Sequence, residues 1–230
     1  MWTDRVSGGR CGRATAGGAR QWRRSRPGDG IQRAAVMGGS AGAPSALAMA
    51  IRHPDRVSAL VRLVPLTYKP VAVADSAPAM APWVEAAMMR MIGSDFLFWS
   101  ALHVARNRVI GTVLATPPEL LAGASPRERA RVMAMVRHIL PVSARTAGLR
   151  SDTAAGKHLA PAALGAVRAP TLVISARDDR YGTYASAEFT AHGIAGATFV
   201  GFETGGHTWV GHDEEVMSAI AALLVPPLPR

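Results

Sequence analysis

Three short stretches of this chain carry residue types that together could perform nucleophilic chemistry: Gly38-Gly39-Ser40-Ala41-Gly42, Asp178-Asp179 and Gly205-Gly206-His207. A serine hydroxyl attacks poorly at neutral pH. It needs an imidazole to take its proton and usually a carboxylate to orient that imidazole. In chain order the three groups run serine, aspartate, histidine. Within the pentapeptide, Gly38, Ala41 and Gly42 leave room for a sharp strand-to-helix turn, at whose tip a serine takes strained backbone angles. The helix that follows would aim its positive end at Ser40, and the backbone N–H of Ala41 could donate to an oxyanion. The same five residues also fit a glycine-rich turn capped by serine, so their surroundings decide.

Those surroundings predict a strand, a turn and a helix in succession. Arg33 to Met37 reads as a short buried strand, and Ala43 to His53 has the alanine, leucine and methionine content of a helix. Pro54 ends that helix, and Ala59 to Val64 reads as a second apolar strand, which makes a strand-helix-strand unit of a parallel sheet. Residues 66–168 then change period, with helices predicted over Ala81–Met91, Asp95–Val109 and Pro126–His138. In the first of these, Val84, Ala87, Met88 and Met91 share one helical face, which reads as core. A helical insert of this length between strands suggests a cap over a site. Strands return at Ala169–Ala176 and Ala197–Phe202, so Asp178-Asp179 and His207 both follow strands, at the carboxyl edge of the sheet. A last helix runs from about Glu214 to Leu224 with Asp213 as its N-cap.

Composition narrows the function classes. The chain has 230 residues, about half of them apolar, and no run long enough to span a bilayer. The first thirty residues lack the apolar core of a signal peptide, so the expected location is cytoplasmic, with no membrane partner. One cysteine, Cys11, excludes an internal disulfide framework and makes a poor metal ligand. The net charge of +10 is concentrated early, where Arg5, Arg10, Arg13, Arg20, Arg23, Arg24, Arg26 and Arg33 face only Asp4 and Asp29. Residues 1–30 follow neither the helical nor the strand period and are expected to be disordered. Without aromatic interleaving or a recognition helix, nucleic acid is not an expected partner. Of the seven histidines, His53, His103, His138, His158 and His192 are expected to be structural; His212, a rival to His207, stands just before the last helix and also reads as structural.

From about Ile31 to its C-terminus the chain resembles the α/β-hydrolase family. The resemblance is carried by Gly38-Gly39-Ser40-Ala41-Gly42, the His-Pro-Asp-Arg-Val joint at 53–57, the run from Ala169 to Asp179, and Gly205-Gly206-His207. It implies an α/β fold, a partial α/β-hydrolase fold with a mostly parallel sheet and a helical cap insert at about 66–168. Carried over position by position, it makes Ser40 the nucleophile, Asp179 the orienting acid, His207 the general base and Ala41 the oxyanion donor. Asp179 is preferred to Asp178 because the family's acid lies about three residues past a small residue ending the strand, here Ala176; Asp178 is left to brace the loop. Gly39 and Trp209 are the substrate-facing candidates, Trp209 fitting either a pocket wall or the core. The resemblance implies no metal and no organic cofactor, and a serine hydrolase acting on an ester or similar acyl bond of a small-molecule substrate. The methionines, Trp83, Phe96, Phe98 and Trp99 of the insert suggest that this substrate is small and apolar. The fold also hosts transferases, peroxidases and dehalogenases. The 39 residues before Ser40 contain neither the strands nor the second oxyanion loop that the family places there, so the chain reads as N-terminally truncated, with strand 33–37 lacking a neighbour. The alternative function is accordingly a catalytically silent fragment or interaction protein. Oligomeric state is left open.

Overall fold

The computed structural model describes residues 31–68, 70, 81–156 and 159–225; the expected disorder of 1–30 lies outside them. Among the described residues, apolar runs bounded by turns form four strands: β1 (Ala34–Gly39), β2 (Val57–Leu63), β3 (Thr171–Ala176) and β4 (Thr198–Phe202). They make one sheet in the order β1-β2-β3-β4, every neighbouring pair parallel. Parallel neighbours require crossovers, and helices supply them. The first, α1 (Ala43–Arg52), stops at His53 because Pro54 and Pro54–Arg56 turn the chain into β2.

Between β2 and β3 lies a helical insertion. Its helices are α2 (Pro82–Ile92), α3 (Asp95–Val104), α4 (Arg106–Val113), α5 (Pro118–Gly123), α6 (Pro126–Arg137) and α7 (Thr146–Gly156). Local signals start two of them: the Ser94 hydroxyl accepts the Leu97 N–H, and the Ser125 hydroxyl accepts the Glu128 N–H just ahead of Pro126. The single helix expected over 95–109 is broken at Ala105, where the backbone leaves the helical region (φ −133°, ψ 39°). The break lets Phe98 and Leu102 on one side, and Val109 and Ile110 on the other, enter the same apolar cluster. Of the predicted stripe on α2, Met91 packs half-buried against that cluster, Ala87 is exposed, and the side chains of Val84 and Met88 lie outside those described.

Two further helices close the sheet. α8 (Thr183–Gly193) and α1 cover one face, with Val173, Ala187 and Ala191 packed together beside the Leu47–Leu60 cluster. α9 (Asp213–Leu224) covers the other through Val216 and Ile220 against Val61, Leu172 and Ile174. The N-cap of α9 is His212, not Asp213; Asp213 is the first helical residue, and its carboxylate accepts the Trp209 indole N–H at 3.4 Å instead. Among the described residues β1 is an edge strand, and Met37 on it is 52% exposed. None of the described helices is long and apolar enough to cross a membrane.

Candidate active site

The turn after β1 is strained at one residue. Ser40 has a φ of +48°, a left-handed conformation that costs a side-chain-bearing residue about 1–3 kcal/mol and persists only where the surroundings enforce it. They do so from both sides. A Cβ on Gly38 would lie 2.7 Å from the Ala46 Cβ and 2.8 Å from the Gly42 carbonyl oxygen, so only glycine lets α1 approach the strand this closely. The Leu66 N–H donates to the Ser40 carbonyl at 3.1 Å. A Cβ on Gly42 would meet nothing within 4 Å, so the last glycine of the pentapeptide is not sterically required, against the sequence expectation. Ser40 and Ala41 are half-buried, Gly39 is exposed, and the N-terminus of α1 follows directly, with Pro44 in its first turn.

On β3 the chain leaves the sheet at Ala176 and turns through Asp178-Asp179 into α8. The two carboxylates diverge. Asp179 is buried, and its Oδ2 accepts the Nδ1–H of His207 at 2.8 Å and the hydroxyl of Thr183, while Oδ1 accepts the Tyr181 N–H at 2.9 Å. Since an ionised carboxylate only accepts, the Thr183 proton is committed to Asp179, and Ser175 donates its own to Thr183 at 2.9 Å. In a neutral imidazole, a proton on Nδ1 leaves Nε2 as the acceptor, the tautomer a general base needs. Asp178 instead accepts the backbone N–H groups of Gly205 at 3.2 Å and Gly206 at 2.7 Å, bracing the histidine loop from below.

Aromatic side chains frame the imidazole. The Tyr181 ring stands edge-on to His207, centroids 4.9 Å apart, and its hydroxyl donates to the Val113 carbonyl at 3.0 Å. Burial, with a smaller contribution from the Asp179 charge, pushes that hydroxyl up to about 12, so it stays a donor although the ring's outer face is open. His212 is stacked on Phe202 at 4.0 Å with its Nδ1 on Glu215, which gives it a structural role. Trp209 packs against the cluster between the sheet and α9, with the Arg131 guanidinium 5.4 Å above its ring, so it supports the loop. Phe98 is core in the insertion, whereas Trp83, Phe96 and Trp99 are at least half exposed. Among the described residues no group of three His, Cys, Asp or Glu side chains could hold a metal ion.

Ser40, Asp179 and His207 thus follow β1, β3 and β4, all at the carboxyl edge of the sheet, where loops of an α/β protein meet ligands. Asp179 and His207 are in direct contact; among the described residues no hydrogen bond joins His207 to Ser40. The model for the alpha/beta hydrolase fold matches residues 30–210. The chain belongs to the α/β-hydrolase family. Solved α/β-hydrolase folds superpose on most of it. An alpha/beta hydrolase fold protein from Nakamurella multipartita is 22% identical with a TM-score of 0.55, covering 91% of this chain and 75% of its own. A hydrolase from Pseudomonas aeruginosa is 22% identical with a TM-score of 0.56, over 90% of this chain and 68% of its own. An esterase from Exiguobacterium antarcticum is 18% identical with a TM-score of 0.50, over 83% and 64%. At these identities the likeness is one of fold. No curated protein sequence matches the chain significantly.

Sequence reasoning did not find Tyr181, Thr183, Glu128 or Arg131, each of which touches the acid or the histidine loop. The Glu128–Arg131 spacing marks a helical ion pair, but nothing in it says what the pair reaches.

Proposed function

We propose that this α/β hydrolase is a serine ester hydrolase. The carrying observation is the buried Asp179 carboxylate on Nδ1 of His207, at the same sheet edge as a serine held in a strained strand-to-helix turn. In this reading Ser40 Oγ attacks the ester carbonyl carbon while Nε2 of His207 takes the hydroxyl proton. The alkoxide leaves with that proton as an alcohol, and an acyl group remains on Ser40. Water, deprotonated by the same imidazole, then attacks the acyl carbon and releases the acid. Asp179 keeps the tautomer and stabilises the imidazolium, and the Ala41 N–H, in the turn just before α1, faces the oxyanion. The helical insertion serves as the cap. The substrate in this reading is a small apolar ester, with Gly39 beside the reacting carbonyl. Trp209 is assigned to holding the loop.

The test is covalent. A fluorophosphonate probe should label Ser40 of the purified protein, located by mass spectrometry, and labelling and turnover of p-nitrophenyl esters should both vanish in Ser40→Ala and His207→Ala. A folded protein that acquires no adduct would instead be the catalytically silent member of the family.

A further inference from the structure

The loop that carries His207 hangs from β4, yet the groups that hold it come from elsewhere. Arg131, in the middle of α6, donates through Nη2 to the Thr208 carbonyl at 2.7 Å. The same guanidinium makes a two-pronged contact with the Glu128 carboxylate, at 3.0 and 2.9 Å, and lies 3.4 Å from Asp213. Glu128 in turn accepts the Gly211 N–H at 3.0 Å. The Arg131 and Glu128 side chains are only 17% and 13% exposed, so this is a partly desolvated, oriented pair and not a solvated surface contact. Farther along, the Thr208 and Thr116 hydroxyls meet at 3.0 Å, and Val210 is part of the insertion's own apolar cluster. Between the two gripped residues sits Trp209, in a left-handed conformation (φ 44°) that nothing in its own side chain favours.

We propose that Glu128 and Arg131 are positioning residues that latch α6 onto the His207 loop, so that seating of the insertion and alignment of the base are one event. The proposal rests on His207 being the base. Arg131 fixes the carbonyl immediately after His207, and Glu128 fixes the amide four residues on. Together they span the strained turn, and in the proposed mechanism an imidazole freed from this grip would fail to reach Ser40 while keeping Asp179. The pair therefore acts on the rate of the chemical step and not on substrate affinity.

The experiment compares Arg131→Met, Arg131→Lys and Glu128→Gln with the unaltered protein. For Arg131→Met, kcat on p-nitrophenyl butyrate and the rate of fluorophosphonate labelling of Ser40 should fall together, by about 10- to 100-fold, while KM changes by less than about threefold. Amide exchange at 208–211 should rise by about tenfold while β3 and β4 keep their protection. Arg131→Lys restores only part, because an ammonium cannot make the forked contact. Retention of kcat within about twofold, or a rise in KM alone, overturns the latch. If Arg131→Met does not fold, Glu128→Gln decides by the same readouts. If the unaltered protein never labels Ser40, the hydrolase reading fails by itself, and unchanged exchange at 208–211 in the variants would separately remove the latch.

Discussion

The two halves of the candidate site are built differently. On the β3–β4 side, Asp179 is held by Tyr181, Thr183 and His207, Asp178 by Gly205 and Gly206, and the histidine loop by α6. Removing one contact there leaves others. On the β1 side, Ser40 depends on the close approach of α1 to Gly38, on the Leu66 N–H that its carbonyl accepts, and on a strand that is at the sheet edge among the described residues. Directly across from Gly38, in register on β2, is Arg62, fully buried, with no hydrogen-bond partner among the described residues at any of its three guanidinium nitrogens. Burial lowers its pKa to about 10. The contrast teaches that Asp179 and His207 are secured by redundant polar contacts, whereas the Ser40 turn rests on the close fit at Gly38 and one backbone hydrogen bond from Leu66.

The largest effect expected from breaking this contrast is chemical. Asp179→Asn should keep the fold, since the amide can still bond Thr183 or the Tyr181 N–H, but lower kcat/KM by about four orders of magnitude by imposing the wrong tautomer on His207. A loss below tenfold would remove Asp179 from the mechanism. On the β1 side, Arg62→Leu should raise stability by about 1–4 kcal/mol, read as a higher Tm and urea midpoint, because it replaces an unpaired buried cation with an apolar side chain. A lower Tm would mean that the guanidinium is paired. Across the register from Arg62, Gly38→Ala should destabilise by about 1–3 kcal/mol, since the added methyl meets backbone atoms that cannot rotate away. It should also depress turnover more than Tm predicts. Equal stability of Gly38→Ala and the unaltered protein would show that the turn is looser than its geometry indicates.

Much of the architecture was legible. β1, α1 and β2 announce themselves by apolar runs separated by Gly38–Gly42 and Pro54, local features that act within a few residues. α8 was not legible. Its buried face is Thr183, Ser186, Ala187, Thr190 and Ala191, small and hydroxylated, so no apolar stripe betrays it. The hydroxyls are silenced inside the fold, Ser186 bonding the Thr183 carbonyl and Thr190 the Ser186 carbonyl. The break at Ala105 was hidden for the opposite reason: an uninterrupted helix satisfies the local pattern, and only the shared core of Phe98, Leu102, Val109 and Ile110 demands a bend.

What the sequence determined by itself is the strand-turn-helix around Ser40 and the chain order of the candidate groups Ser40, Asp179 and His207. A glycine that must admit a neighbouring helix, a serine at a strand end and a helix start are all written in adjacent residues, and turn geometry is a local property. Tertiary structure alone supplied the Asp179–His207 contact itself, made across 28 residues where the family resemblance had only preferred Asp179 to Asp178, and showed that Glu128 and Arg131 hold the loop from α6, the arginine reaching 77 residues along the chain. It also buried Arg62 where an exposed cation would have passed unnoticed. Such contacts depend on how whole elements pack, and packing energy has no period that a linear pattern could carry.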